Sequence, residues 1–201
     1  KETNAEFVVA FTRPPSVYRG NPFLVECGLA FGGELPDGTA QLFRFANKVP
    51  LLYHASDCAT SEAVTETDWR RYGFSQSNGQ LPQGQLAILI HFASVWVPYT
   101  SEGKQAIANY PDINKEMKLA LQEAGRRLAT YVRQKKKLKA VQMRKDLFEK
   151  YIPELAESLE KLTDDKKESL IVSLEKIIKK GVKSEDGKEN RDDKEPEKTG
   201  K

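Results

Sequence analysis

Three stretches of the 201-residue chain carry side chains whose type and spacing could do chemistry. In Thr100-Ser-Glu-Gly-Lys-Gln105 a glycine precedes a lysine, the arrangement by which phosphate loops bring an ammonium to the outer phosphates of a nucleotide. The full loop pattern fails, because Pro98 stands where the first glycine belongs and Gln105 where a metal-binding Ser or Thr belongs. On spacing alone the plainer reading of Lys104 prevails: an exposed cation near the start of a short helix, with Ser101 as its N-cap. Asp68-Trp-Arg-Arg-Tyr72 places two aromatics three apart around two cations, which fits base stacking with phosphate contact. It fits better a helix face on which Trp69 and Tyr72 pack against a sheet while Arg70 and Arg71 stay in water. Residues 126–145 hold nine cations (Arg126, Arg127, Arg133, Lys135, Lys136, Lys137, Lys139, Arg144 and Lys145) and no acid. Such a run neutralises phosphates and releases counterions, or is simply a solvated helix face; both readings stay open.

Other chemistry is poorly provided for. Cys27 and Cys58 are the only cysteines and belong to no Cys-x-x-Cys or Cys/His cluster, so two free thiols are expected rather than a disulfide. With only His54 and His91 and no ligand spacing, no metal site is expected. No Ser/His/Asp set, carboxylate pair or nucleophile elbow stands out, so no catalytic residue is assigned. The residues by themselves describe a binding or mechanical module and not a complete enzyme.

The elements that must position these groups divide at Pro111. Residues 1–111 hold 8 basic and 10 acidic side chains with 15 of the 18 aromatics, the mark of a domain with a core. Residues 112–201 hold 24 basic and 19 acidic side chains, so the modest net charge of +3 conceals a basic second part. Strands are expected at Phe7–Thr12, at Phe23–Phe31, at Gln41–Tyr53 with Pro50 breaking or bulging it, and at Leu86–Phe92. The last lacks polar alternation and is expected to be central, covered on both faces. Ser56–Tyr72 favours a helix capped by Asp57 or Ser61. This is an α+β pattern, a four-stranded sheet backed by helices. From 112 to 152, Ile113, Met117, Ala120, Leu121, Ala124, Leu128, Tyr131 and Val132 recur at steps of three and four, which predicts one long helix capped by Asp112. At about 1.5 Å per residue it reaches on the order of 60 Å, so its second half is expected to project or meet a partner. Pro153 is expected to end it, Thr163 to cap a last amphipathic helix within 153–180, and 181–201 to be a disordered charged tail. No apolar run approaches the roughly 18–20 residues of a membrane span. No signal peptide is visible, and the opening at Lys1 rather than Met points to a fragment.

Five collinear motifs add a family resemblance. They are Thr12-Arg-Pro-Pro-Ser-Val-Tyr-Arg-Gly-Asn-Pro-Phe23, Arg44-Phe-Ala-Asn-Lys-Val-Pro-Leu-Leu-Tyr53, Trp69-Arg-Arg-Tyr-Gly73, Val97-Pro-Tyr-Thr-Ser-Glu-Gly-Lys-Gln-Ala-Ile-Ala108 and Glu123-Ala-Gly-Arg-Arg-Leu128. Together they closely resemble the B subunit of DNA topoisomerase VI from about residue 7 to 135, with a looser likeness through Tyr151-Ile-Pro-Glu154. The resemblance implies a transducer domain of the ribosomal-S5-domain-2-like type over 1–111 and a stalk helix over 112–152. The family's GHKL ATPase and helix-two-turns-helix domains do not match any part of the chain.

The implied role is to couple ATP binding and hydrolysis to double-strand DNA passage, hence relaxation and decatenation. The implied partners are the A subunit, a second copy of the B subunit and double-stranded DNA, with ATP and its Mg2+ held by the ATPase domain. The setting would be the nucleoid of a prokaryotic cytoplasm or a eukaryotic nucleus, and the fragment alone is not expected to be catalytic. By resemblance Lys104 is the lysine that reaches the γ-phosphate. The family's Trp-Lys-x-Tyr motif, associated with DNA contact, falls on Trp69, Arg70 and Tyr72, with Arg70 replacing the lysine. The basic tract, including Arg126, Arg127, Arg133 and Lys135–Lys137, corresponds to the stalk towards DNA or the A subunit. Against this stands a non-catalytic, transducer-like scaffold that only holds a partner; the pair Gly103-Lys104 speaks against it.

Overall fold

The computed structural model describes residues 4–163 and 166–177. Contacts divide the chain into two compact units, Lys1–Gln134 and Lys135–Lys201. The expected charged tail at 181–201 lies outside the described residues, as do the last three residues of the expected C-terminal helical region.

The first unit is built on one six-stranded sheet. Its strands are β1 (Phe7–Thr12), β2 (Ser16–Tyr18), β3 (Asn21–Phe31), β4 (Gln41–Ala46), β5 (Val49–Pro50) and β6 (Leu86–Ser94). The order is β1-β3-β6-β4-β5, with β2 added to β3. β3 pairs antiparallel with β1 and β6, whereas β4 runs parallel to β6. A parallel pair needs a crossover. The chain supplies it with α1 (Ala59–Glu66) and a 3-10 turn at Trp69–Tyr72.

The expected third strand is a hairpin. Asn47 and Lys48 both take positive φ, +47° and +69°, so the chain reverses there in the primed geometry that matches strand twist, and β5 follows. Asn47 substitutes for a strand residue: its side chain donates to the Ser94 carbonyl at 2.8 Å and accepts the Ser94 N–H at 2.9 Å. β6 is central as expected, but it is not covered on both faces. Ile88, Ile90 and Phe92 are buried while Leu89 opposite them is exposed, because helices lie on one face only.

α2 runs Pro111–Glu160. Ile113, Met117, Ala120, Leu121, Ala124, Leu128 and Val132 along it are buried in one cluster with Val25, Leu29, Ile88, Ile90 and Trp69. Asp112 lies inside its first turn, not at the cap. The earliest ladder bond there is Asn114 N–H to the Tyr110 carbonyl at 2.9 Å. α1 likewise begins after Cys58, and neither Asp57 nor Ser61 caps it.

Pro153 does not end α2. The residue is exposed, the Glu149 carbonyl four residues before it loses its N–H partner, and the helix continues to Glu160. Thr163 closes this helix by donating its hydroxyl to the Leu159 carbonyl at 3.0 Å, and does not cap the next one. Within the second unit a further helix covers 167–177. Its first turn is held by Glu160, which accepts the Lys167 N–H at 3.0 Å, and by the Lys167–Glu157 ion pair at 3.5 Å. No helix among the described residues is long and apolar enough to cross a membrane.

Gly125 of α2 lies directly under the ring of Tyr72. A Cβ built there would stand 2.7 Å from Cε2 of that ring, closer than real Cβ atoms come. Gly125→Ala should therefore destabilise the chain by about 1–2 kcal/mol, although alanine favours helix by roughly 1 kcal/mol. The same change in a Tyr72→Leu background should be neutral or stabilising. Thermal melts of the four proteins measure both effects.

Candidate functional site

The segment around Lys104 is a pinned turn. Tyr99 and Ile107 form an antiparallel bridge, Thr100 N–H donates to the Ala106 carbonyl at 2.9 Å, and Ala108 N–H donates to the Pro98 carbonyl at 2.7 Å. Above this base, Lys104 N–H donates to the Ser101 carbonyl at 3.1 Å. No helix follows, so Ser101 is a turn residue and not an N-cap. Lys104 itself takes φ +52°, a left-handed conformation that L side chains visit at a cost. Its side chain is exposed and has no acidic partner among the described residues.

The base of the turn is fixed to α1. Ala59 N–H donates to the Ile107 carbonyl at 2.9 Å, and Ile107 N–H donates to Cys58 Sγ at 3.4 Å. Ala106 and Ile107 are wholly buried. A free ammonium at the tip of a turn with a rigid base is suited to meet a phosphate that arrives from outside the unit.

The 3-10 turn Trp69–Tyr72 splits its residues between core and surface. Trp69 is 0% exposed; its Nε1–H donates to the Val64 carbonyl at 2.8 Å and its ring meets Tyr72 and Phe74 edge-on. It has no face to offer a base, so the packing reading of this residue is the one the structure contains. Tyr72 is half-buried against Gly125, and burial pushes its hydroxyl above the usual tyrosine range. Arg70 and Arg71 are exposed, and both lie on Asp68, at 2.9 and 3.2 Å. The hydrogen bond from Arg70, ahead of the field of the two cations, holds the Asp68 carboxyl below its ordinary value.

Tyr72 brings a second pair of cations alongside. Glu123 pairs with Arg126 and lies 3.7 Å from Arg127, and its carboxyl is held low chiefly by the Arg126 hydrogen bond. The Arg127 guanidinium also sits over the Phe11 ring at 5.4 Å. Four arginines and two acids thus make one positively charged surface in the first unit. Arg133 is exposed further along α2, with Nε donating to the Ala129 carbonyl at 3.2 Å. Lys135, Lys136 and Lys137 are exposed on the second unit.

Two groups matter more than their sequence signal showed. Arg44 is 6% exposed, and its Nη2 braces the end of the hairpin by donating to the carbonyls of Leu51 at 2.7 Å and Tyr53 at 3.1 Å. His91 accepts the Lys48 N–H at Nε2, 3.0 Å, so its Nδ1–H is the donor to Glu26 at 2.7 Å. Arg44 alternates with Leu42 and Ala46 on the inner side of β4, and its partners Leu51 and Tyr53 lie beyond the hairpin, where nothing local announces them. Cys27 and Cys58 are buried free thiols, and burial pushes Cys27 up to about 12. No group of three metal-ligating side chains occurs among the described residues.

Residues 1–144 match the family described as topoisomerase VI B subunit, transducer. The chain is 46% identical over 158 residues to the B subunit of type 2 DNA topoisomerase 6 from Archaeoglobus fulgidus, covering 79% of this chain and 26% of that protein. The protein of the same name from Thermococcus kodakarensis is 46% identical over 166 residues, 82% of this chain and 28% of its own. That from Natronomonas pharaonis is 41% identical over 180 residues, 89% of this chain and 23% of its own. The chain therefore spans about a quarter of the length of these curated relatives. Among solved structures, the B subunit of DNA gyrase from Myxococcus xanthus aligns with 58% of this chain and 36% of its own at 20% identity, TM-score 0.38.

Because Trp69 fills the junction of α1, α2 and the sheet, Trp69→Ala should cost about 3–5 kcal/mol of stability. Trp69→Phe keeps most of the volume but loses the Nε1–H bond to the Val64 carbonyl, which keeps only the Thr67 N–H at 3.3 Å, and should cost about 1–2 kcal/mol. Urea titrations followed by circular dichroism distinguish this core role from a surface one, for which both variants would be neutral.

Proposed function

The chain belongs to the topoisomerase VI B-subunit transducer family, and on that premise we propose that it couples an ATPase cycle to the passage of one DNA duplex through another. The observation that carries the reading is Lys104: an exposed, acid-free ammonium at the tip of a turn whose base is bonded to α1. A lysine is a point charge on a flexible stem, suited to follow a phosphate without demanding bidentate geometry. ATP, bound by the ATPase domain of such an enzyme with its Mg2+, supplies a γ-phosphate charge that is present before hydrolysis and gone after it. Lys104 binds that charge, and the Ile107–Ala59 and Ile107–Cys58 bonds carry the pull on the turn to α1. α1 and α2 share one core with the sheet, so displacement of the turn loads α2 as well.

The partners that fit this role are an A subunit that cleaves DNA, a second copy of the B subunit and the DNA duplex itself, in the nucleoid or nucleus. Duplex contact falls to Arg70, Arg71, Arg126 and Arg127 around Tyr72, with Arg133 in the same unit; Lys135, Lys136 and Lys137, next in sequence, are basic residues of the second unit. Trp69 and Tyr72 serve that contact by holding the 3-10 turn against Gly125. Asp68 and Glu123 moderate it, since each already occupies two arginines.

In a holoenzyme rebuilt with its ATPase region and A subunit, Lys104→Ala should lower supercoil relaxation by roughly tenfold or more while nucleotide binding is partly retained. Unchanged relaxation and turnover would exclude the coupling role. In the 201-residue chain alone, the same substitution at an exposed turn should alter stability by less than about 0.5 kcal/mol.

The DNA surface is tested by removing its moderator. Asp68→Asn frees Arg70 and Arg71 and should raise duplex affinity, with a steeper dependence on salt. Arg126→Glu should weaken binding at all sequences and reduce the salt slope by roughly one phosphate's worth. Acidification acts in the direction of the Asp68 change. The low folded-state pKa of Asp68 means its pairing with Arg70 is intact above its ordinary titration range and is lost as pH falls through the folded value. Fluorescence anisotropy with a labelled duplex across salt and pH reads all three, and slopes equal to wild type would exclude this surface.

A further inference from the structure

A cleft of about 610 Å³ opens beside the β4–β5 hairpin, between Leu42 and Arg44 of β4, Leu51 and Leu52 beyond β5, and Ser61 and Thr65 of α1. Its volume is in the range of small-molecule sites, roughly 300–1,000 Å³. Two of its lining residues carry buried polar atoms with no hydrogen-bond partner: Nη1 of Arg44 and Oγ of Ser61. Both residues are more than nine-tenths buried, Arg44 at 6% and Ser61 at 8% exposure. No Asp or Glu lines the cleft, and Arg44 has no ion pair among the described residues. Buried donors are ordinarily satisfied, and a buried guanidinium is ordinarily paired with an anion.

We propose that this cleft binds a small organic carboxylate with an apolar tail. The guanidinium is held in place from behind, because Nη2 is spent on the Leu51 and Tyr53 carbonyls; this leaves Nη1 as the donor for a ligand. Both atoms lie just beneath the surface of the cleft, so its wall gives way for a carboxylate oxygen to take Nη1–H and the Ser61 hydroxyl, and the ligand supplies the negative charge that the lining does not. The leucines at 42, 51, 52 and 81 receive the tail. A phosphate fits worse: it is more strongly hydrated, needs more donors than two, and would leave the leucine walls empty. A neutral alcohol would leave the guanidinium uncompensated. The site is separate from Lys104 and from the arginine surface around Tyr72, and does not depend on the coupling role.

The test is a titration of the 15N-labelled 201-residue chain with sodium hexanoate, at ionic strength held constant with NaCl. Saturable shifts confined to residues 41–53 and 59–65, together with a saturable shift of the Arg44 guanidinium signal, are expected. Hexan-1-ol and inorganic phosphate should give no saturating shifts there. Ser61→Ala removes a hydroxyl that has no partner, so its melting temperature should not fall, while hexanoate binding should weaken roughly tenfold. Arg44→Met would also lose the hairpin brace, so Ser61→Ala carries the test. Non-saturating hexanoate shifts, shifts matched by hexan-1-ol or phosphate, or wild-type affinity in Ser61→Ala would each overturn the proposal.

Discussion

Burial of a single sheet face beneath α2 is the constraint on which the first unit depends. The inner residues of β3 and β6 are apolar at every second position, and the stripe from Ile113 to Val132 is the complementary surface. Once α2 is seated, the 3-10 turn must lie where Trp69 fills the remaining space, and α1 must pass over β4 to close the parallel crossover. The positions of Tyr72, Arg70 and Arg71 follow from that packing. So does the anchoring of the Lys104 turn, since Ile107 enters the same core and its backbone joins the start of α1.

The charges are arranged on this frame as partly cancelled groups. Each of Asp68 and Glu123 faces two arginines, which keeps the surface cationic while limiting the field of any one guanidinium. These pairs are exposed, so they contribute little to stability. Their effect is on the local field, which the two acids reduce without cancelling. Arg44 stands in contrast, inside the fold and held by carbonyl oxygens alone.

Much of this was legible from residue patterns. The strands at Phe7, Phe23 and Leu86 and the α2 stripe follow from periodicity, and the packing of Trp69 follows from its three-residue spacing to Tyr72. The readings that missed share a cause, which is that the deciding partner lies far along the chain or in the backbone. Ser101 resembles a cap, yet the Ala106 and Pro98 carbonyls close a turn instead. Gln41–Tyr53 reads as one strand because the positive φ of Lys48 carries no side-chain signature. Pro153 reads as a stop, yet the helix runs on through it to Glu160, despite the lost bond and the crowding of its ring against the preceding turn. Leu89 suggested a doubly covered strand, and hydropathy alone does not reveal that this residue faces solvent, although Ala87 on the same face is buried. Lys104 was singled out by motif, whereas its strained backbone and pinned base are properties only of the fold.

The fit between Tyr72 and the missing Cβ of Gly125 has a mechanical meaning. A helix turning about its axis advances about 100° per residue, so the next positions it could present to the ring are Ala124 and Arg126, neither of which leaves that gap. The ring and the glycine behave as a detent. Turning α2 at this point would bring a side chain into the space the ring fills, so the close fit favours one register of the helix. Any rotation of this helix past the 3-10 turn is accordingly stepwise, with the seated register as its close-packed stop.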